Sequence, residues 1–309
     1  MFPALLATLL FSLSVVFANR STRILGGTTA NFLRLCLATL LLAAWAHGLG
    51  RGLGGGAFGW FFLSGCIGFG LGDSALYQAL PRLGPRLTAL LMQCLAAPFA
   101  ALAEWLWLGT TLSRPQIAAG LVILFGVAIA VAPQDHLHIP RRLLIGGLVF
   151  GVVAALGQGL GAVVSRKAYA VVALAGQDID GLTAAYQRIL GGVVFAVPFT
   201  VWVHLRRERQ SPTAGEAAST AATAGAARLW HTGWGWVVLN SLAGPILGVG
   251  CYQWALATQP SGVVLPIVAT MPIVVIPFAY FLEGDRPSAR SLAGGVLAVL
   301  GAIALALIR

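Results

Sequence analysis

The chain has 309 residues, of which 58% are hydrophobic and 9% charged, and its net charge is +10. Soluble domains carry roughly 25% charged residues, so this composition excludes a water-soluble globule of similar size. The basic excess is almost all arginine, with Lys167 the single lysine, and it stands in small groups between apolar runs. That pattern anchors helix ends at a membrane edge and does not form a nucleic-acid-binding face.

The apolar runs approach the roughly 20 residues needed to cross a bilayer. Residues 1–19 are uncharged and lack the basic start of a signal peptide, so they read as the first span. The second runs over about 26–48 and holds Arg34, the third over about 57–79 with Asp73, and the fourth over about 87–109 with Glu104. The fifth, 115–133, has no charge, and a polar link follows to Arg142. The second half opens with a span at about 143–165 and continues with one at about 182–204 that holds Arg188. Residues 205–230 are small and polar and are expected to form a mobile loop. The uncharged stretch 229–282 is too long for one span, and Gln259-Pro260-Ser261-Gly262 divides it into an eighth and a ninth. The tenth covers about 288–308. In lipid the backbone must satisfy its own hydrogen bonds, so runs this long are helices.

The two halves repeat each other. At a constant offset of 175, Tyr77-Gln78 matches Tyr252-Gln253, Pro85 matches Pro260, and Gly109, Gly120 and Gly126 match Gly284, Gly295 and Gly301. Just upstream the offset is 176, pairing Gly59-Trp60 with Gly235-Trp236 and Gly68 and Gly72 with Gly244 and Gly248. Further upstream, Thr29–Arg34 answers Thr183–Arg188 and sets Arg34 opposite Arg188. The expected fold is an all-α integral membrane bundle of ten transmembrane helices, built as two five-helix repeats over 1–133 and 141–309. An odd number of spans per repeat turns the second copy over relative to the first, which is the inverted architecture of many secondary transporters. The paired small residues Gly68/Gly72 and Gly244/Gly248 predict a central contact of the third and eighth spans, and Gly147/Gly151 and Gly157/Gly161 predict close packing of the sixth.

This layout resembles the drug/metabolite transporter superfamily, in particular its ten-helix EamA-type members. The resemblance is carried by the segment from Leu76 to Ala130 and its copy from Tyr252 to Leu305: an aromatic residue and Ala-Leu closing one span, a proline in the next, a glycine before a polar turn, and two glycines in the last. The family's Gly-Glu pair becomes Gly109-Thr110 and Gly284-Asp285 here. Arg34 and Arg188 correspond to an arginine often seen in each repeat's second helix. The resemblance implies outward movement of small molecules with both termini cytoplasmic, and the arginine-, alanine- and glycine-rich composition points to a bacterial inner membrane. The arginine count opposes that orientation, since it leaves 5 basic residues on the inner side and 12 on the outer.

Charges at membrane depth are costly, which makes Arg34, Asp73, Glu104 and Arg188 candidates for substrate binding or proton coupling, against the plainer reading of structural ion pairs. Counting depth from the span ends pairs Arg34 with Asp73 and Glu104 with Arg188. Tyr77, Gln78, Tyr252 and Gln253 lie near span ends, where tyrosine commonly anchors at the interface; Gln93 and Gln158 lie in mid-span and could face a cavity. Cys36, Cys66, Cys94 and Cys251 lack metal or disulfide spacing, and His136 and His138 read as a solvated loop. With no catalytic constellation and no phosphate loop, neither cofactor nor metal is expected. The function expected is secondary active transport by alternating access. Its partners would be the lipid bilayer, a small-molecule substrate and a proton or counter-substrate, with no nucleic acid. The alternatives are a lipid-flipping or assembly subunit and a membrane-embedded enzyme.

Overall fold

A computed structural model of the chain describes residues 2–108, 113–131, 140–210, 233–258, 261–284, 286 and 288–308. Every regular element among them is helical. In order these are α1 (Phe2–Leu25), α2 (Gly27–Gly48), α3 (Phe58–Gly65), α4 (Asp73–Leu108), α5 (Arg114–Val131), α6 (Arg141–Leu174) and α7 (Gly181–Gln210). They continue with α8 (233–241), α9 (Leu247–Thr258), α10 (Ser261–Val268), α11 (Met271–Glu283) and α12 (Ala289–Leu307). Two π-helical turns, Cys66–Gly72 and Leu242–Ile246, join α3 to α4 and α8 to α9. Their first residues lie 242 − 66 = 176 apart, the offset of the repeat in this region.

Six helical stretches are long and apolar enough to cross a membrane, and Met271–Leu282 and Ala289–Gly301 are shorter apolar helices. The burial pattern is that of a protein whose solvent is hydrocarbon. Leu106, Phe125, Leu174 and Phe281 face outward, while Asn31, Arg34, Gln187, Arg188, Asn240 and Gln253 are buried.

Several boundaries differ from the sequence reading. The third and fourth spans follow each other without an intervening loop, as two helices that meet at a kink at Gly84, φ 76°, ψ 170°. A single left-handed residue suffices to turn the chain there, and glycine adopts it without a Cβ clash. Helix α7 continues through Gln210, six residues into the segment expected to be a loop; the rest of that segment, 211–230, and the part of the polar link that holds His136 and His138 lie outside the described residues. The ninth span is split into α10 and α11 at Ala269-Thr270. The Thr270 hydroxyl donates to the Ile267 carbonyl at 2.6 Å, and Pro272 in the first turn of α11 has no N–H with which to continue the ladder.

Two pairs of repeat-equivalent helices, α2 with α7 and α5 with α12, lie side by side and run antiparallel. Along α2 and α7, His47 meets Tyr186 at 3.1 Å, and Gly50 sits against Thr183. Along α5 and α12, Gly126 faces Ala298 and Gly301 faces Ile123. Glycine makes these approaches possible. A Cβ on Gly65 would overlap the backbone carbonyl of Arg188, one on Gly191 would overlap the carbonyl of Phe62, and one on Gly157 would lie 2.5 Å from the Gly72 Cα. The third and eighth spans do not form the central contact expected of them. Gly68 and Gly72 instead face Arg188 and Gly157, whereas Gly244 and Gly248 face Ser14 and Phe11. Each packs on the opposite half because a glycine pair accepts whichever backbone or side chain arrives first, and here that is the opposite half's own helices.

The segment between α2 and α3 is fastened to the start of α7. Gln187 Nε2 donates to the carbonyls of Gly52 (3.0 Å) and Gly54 (2.8 Å), and Trp45 Nε1 donates to Asp180 at 3.2 Å. Asp180 caps α7, accepting from the Leu182 and Thr183 amides at 3.0 and 2.9 Å. Burial pushes its carboxyl up, but the bonds from the Thr183 hydroxyl and amide, Trp45 and Leu182 outweigh that and hold it below the usual carboxylate range.

Two predictions follow from this packing. Gly65→Ala forces α3 away from α7 and should destabilise the protein by about 1–3 kcal/mol, whereas Gly59→Ala, with nothing within 4 Å, should be neutral; melting of the two variants in detergent compares them, and equal stabilities would refute the close approach. Asp180→Ala should cost about 0.5–2 kcal/mol as a lost N-cap. Because the folded carboxyl is depressed, its stabilisation is present above its ordinary value and disappears as pH falls through the folded one. The gap in melting temperature between the wild type and Asp180→Ala should therefore be full at neutral pH and close below about pH 4.

Candidate functional site

The buried polar groups converge on one central cavity of about 60 Å³. Its wall takes Phe11, Ser14, Val15 and Ala18 from α1, Arg34 from α2, Gly68 and Phe69 from the first π turn, and Asp73, Leu76, Tyr77, Met92 and Gln93 from α4. The second half contributes Gln158, Arg188, Gly244, Val249, Tyr252 and Met271. A water needs roughly 10–15 Å³ of such space, so the cavity holds about four waters or one small polar head group.

Arg34 and Asp73 form an ion pair between α2 and the start of α4. The Arg34 guanidinium also donates to Asn31 Oδ1 at 3.1 Å and lies 4.9 Å from the centre of the Tyr77 ring. The Tyr77 hydroxyl accepts from Asn240 Nδ2, and Asn240 Oδ1 in turn accepts from Ser14 at 2.7 Å. One polar chain thus runs from α2 through α4 and α8 to α1. Arg34 is seven residues past Gly27, which at about 1.5 Å per residue sets it roughly 10 Å along its helix. A charge at that depth in an apolar bundle needs a counter-ion, and Asp73 provides it.

Arg188 enters the same cavity from α7. Its guanidinium lies 5.4 Å from the Phe69 ring, and a Cβ on Gly68 would come within 3.0 Å of its Nη2. Gln93 Nε2 lies 3.1 Å from the Met271 sulfur.

Of the residues singled out from the sequence, the cavity gathers Arg34, Asp73, Tyr77, Gln93, Gln158, Arg188 and Tyr252. Tyr77 and Tyr252 are 1% and 2% exposed, so neither is an interface anchor; both take the face of their helix that lines the cavity. Gln78 and Gln253 stay out of the wall. Gln78 bonds to Thr28 at 3.3 Å and to Arg82 at 3.2 Å, and Gln253 is fully buried elsewhere. The side chain of Glu104 lies outside the described residues, and with it the expected Glu104–Arg188 pair. Sequence reasoning missed Ser14, Phe69, Asn240 and Met271. Asn240 did carry a signal, as the one asparagine in the uncharged stretch 229–282; Phe69 and Met271 carried none.

A helical bundle with an apolar exterior and a polar, charged centre defines a multi-pass membrane protein. The model of the EamA-like transporter family matches residues 1–132 and 145–307, and the chain belongs to that family. Its general function is therefore that of a membrane transporter, acting on small molecules in a bilayer. A crystal structure, titled only as that of a protein, is similar in fold with a TM-score of 0.61, at 18% identity over 99% of this chain and 96% of the other. No curated protein matched the sequence.

The ion pair gives the third prediction. Asp73→Asn leaves Arg34 buried without its counter-ion and should cost about 3–5 kcal/mol. Removing both charges, Arg34→Gln with Asp73→Asn, should recover most of that loss. Melting temperatures of the single and double variants test the coupling, and strict additivity would refute it.

Proposed function

We propose that this chain is a secondary active exporter of a small metabolite, working by alternating access around the central cavity. In this reading residues 1–133 and 141–309 are two inverted five-helix units, ten spans in all, in a bacterial inner membrane. Both termini share one side. The observation that carries the reading is the composition of the cavity wall: equivalent residues of the two halves, Arg34 with Arg188, Tyr77 with Tyr252 and Gly68 with Gly244, meet there. Antiparallel packing of α2 with α7 and of α5 with α12 supports an in-plane two-fold, because elements related by such an axis must run in opposite directions.

The cavity is small against the roughly 300–1,000 Å³ of a metabolite pocket. Cargo beyond a few heavy atoms therefore requires one unit to rock away from the other. Asp73 is the group suited to carry a coupled proton. It is the only carboxylate in the wall among the described residues, and its partner Arg34 would be released whenever it is protonated.

The fourth prediction tests access without knowledge of the cargo. Gln158→Cys, in a chain with its four native cysteines replaced, should react with a membrane-impermeant thiol reagent applied from either side of sealed vesicles. Reaction from one side alone would refute alternating access. In proteoliposomes, Asp73→Asn should abolish the response of efflux to an imposed pH gradient; an unchanged response would remove Asp73 as the proton carrier.

A further inference from the structure

The two halves of the cavity share an arginine, a tyrosine and a glycine but differ in one charge. In the first half a guanidinium, Arg34, is matched by a carboxylate, Asp73, and a tyrosine, Tyr77, whose hydroxyl is hydrogen-bonded. In the second half the guanidinium and tyrosine recur as Arg188 and Tyr252, but the position equivalent to Asp73 at the offset of 176 is Val249. Arg188 is 4% exposed, its Nε has no hydrogen-bond partner, and among the described residues it forms no ion pair. The Tyr252 hydroxyl is buried and also without a partner. Both residues line the cavity.

We infer that the cargo carries an anionic group, a carboxylate or a phosphate, that docks on Arg188 and the Tyr252 hydroxyl in the place where the first half has Asp73. This rests on the reading of the cavity as the transport site. Three physical arguments support it. Arginine keeps its proton in any protein environment, so the wall residues Arg34, Arg188 and Asp73 sum to one uncompensated positive charge, which a single anion neutralises. The guanidinium presents a planar fork of donors that matches carboxylate and phosphate oxygens, and the phenol adds a further donor. The break at Ala269-Thr270 starts α11 at the cavity wall through Met271, and the positive end of a helix dipole adds to the same sign. Size agrees, because about 60 Å³ admits an anionic head group but not the rest of a metabolite.

The purified full-length chain in lipid nanodiscs tests this by thermal melting at constant ionic strength, with succinate, inorganic phosphate and choline as separate probes. A saturable rise in melting temperature with succinate alone assigns a carboxylate site, and one with phosphate alone a phosphate site; a rise with both supports the shared anion chemistry. Stabilisation by choline in place of the anions, or no shift with either anion, overturns the inference. Val249→Asp sets a carboxylate beside Arg188 and should weaken the anion response by about tenfold or more, while raising the melting temperature of the unliganded protein. Arg188→Gln should also lose the response; if that variant does not fold, Val249→Asp decides. An undiminished anion response in Val249→Asp overturns the assignment. The readout is binding, so one-sided labelling of Gln158→Cys would refute alternating access and leave this result standing, and the reverse holds equally.

Discussion

The guanidinium of Arg34 sits inside an apolar bundle, held by the carboxylate of Asp73 and capped by the face of Tyr77. Hydrocarbon offers an ion no hydration, so the surrounding helices must be arranged to supply what water would have given. That requirement explains why α2, α4, α8 and α1 meet where they do. Asp73 starts α4, Asn240 ties Tyr77 to the second half, and Ser14 completes the chain from α1. It also explains the glycines nearby. Gly244 leaves room for Arg34 and Gly68 for Arg188, since a Cβ at either would come within 3.3 or 3.0 Å of a guanidinium nitrogen. A π turn beside each of these glycines widens the helix at the same point in both repeats, a distortion commonly found at functional sites.

Symmetry and its breach have separate roles. The repeated arginines, tyrosines and glycines give two similar half-sites, as the alternating access proposed above requires. The single carboxylate breaks that equivalence. In the anion site proposed above, a second ion pair would leave the centre electrically satisfied, whereas one pair and an arginine with no ion partner among the described residues leave it receptive.

Much of this was legible in the chain. Spacing of apolar runs marked the helices, and matches of Tyr-Gln, Pro and Gly at fixed offsets revealed the duplication, because such residues rarely coincide by chance where Ala and Leu abound. Depth counting brought Arg34 to Asp73, since helical rise is the same in every span. What escaped the reading depends on three-dimensional packing. Hydropathy does not distinguish a coil from a one-glycine turn, so the two spans were legible but the kink at Gly84 that joins them was not. The split at Ala269-Thr270 lies within apolar sequence, and only Pro272 hinted at it. Tyr77 and Tyr252 appeared to belong at the interface because position along a span says nothing about which face a side chain takes. Phe69 lines the site purely through its place on a π turn, for which the sequence has no signature.

The fastening between α2 and α7 has a consequence for motion. Gln187 holds two loop carbonyls, Trp45 holds Asp180, and His47 meets Tyr186, all at one end of the bundle. Each such bond is worth about 0.5–1.5 kcal/mol net, so together they form a latch that must be undone in concert before that end can part. The Gln187 bonds join an amide to backbone carbonyls, while the Trp45 bond ends on the Asp180 carboxylate, so the latch combines neutral and charge-assisted hydrogen bonds. In the alternating-access exporter proposed above, these bonds give the two faces unequal resistance to opening, with the added resistance on this one.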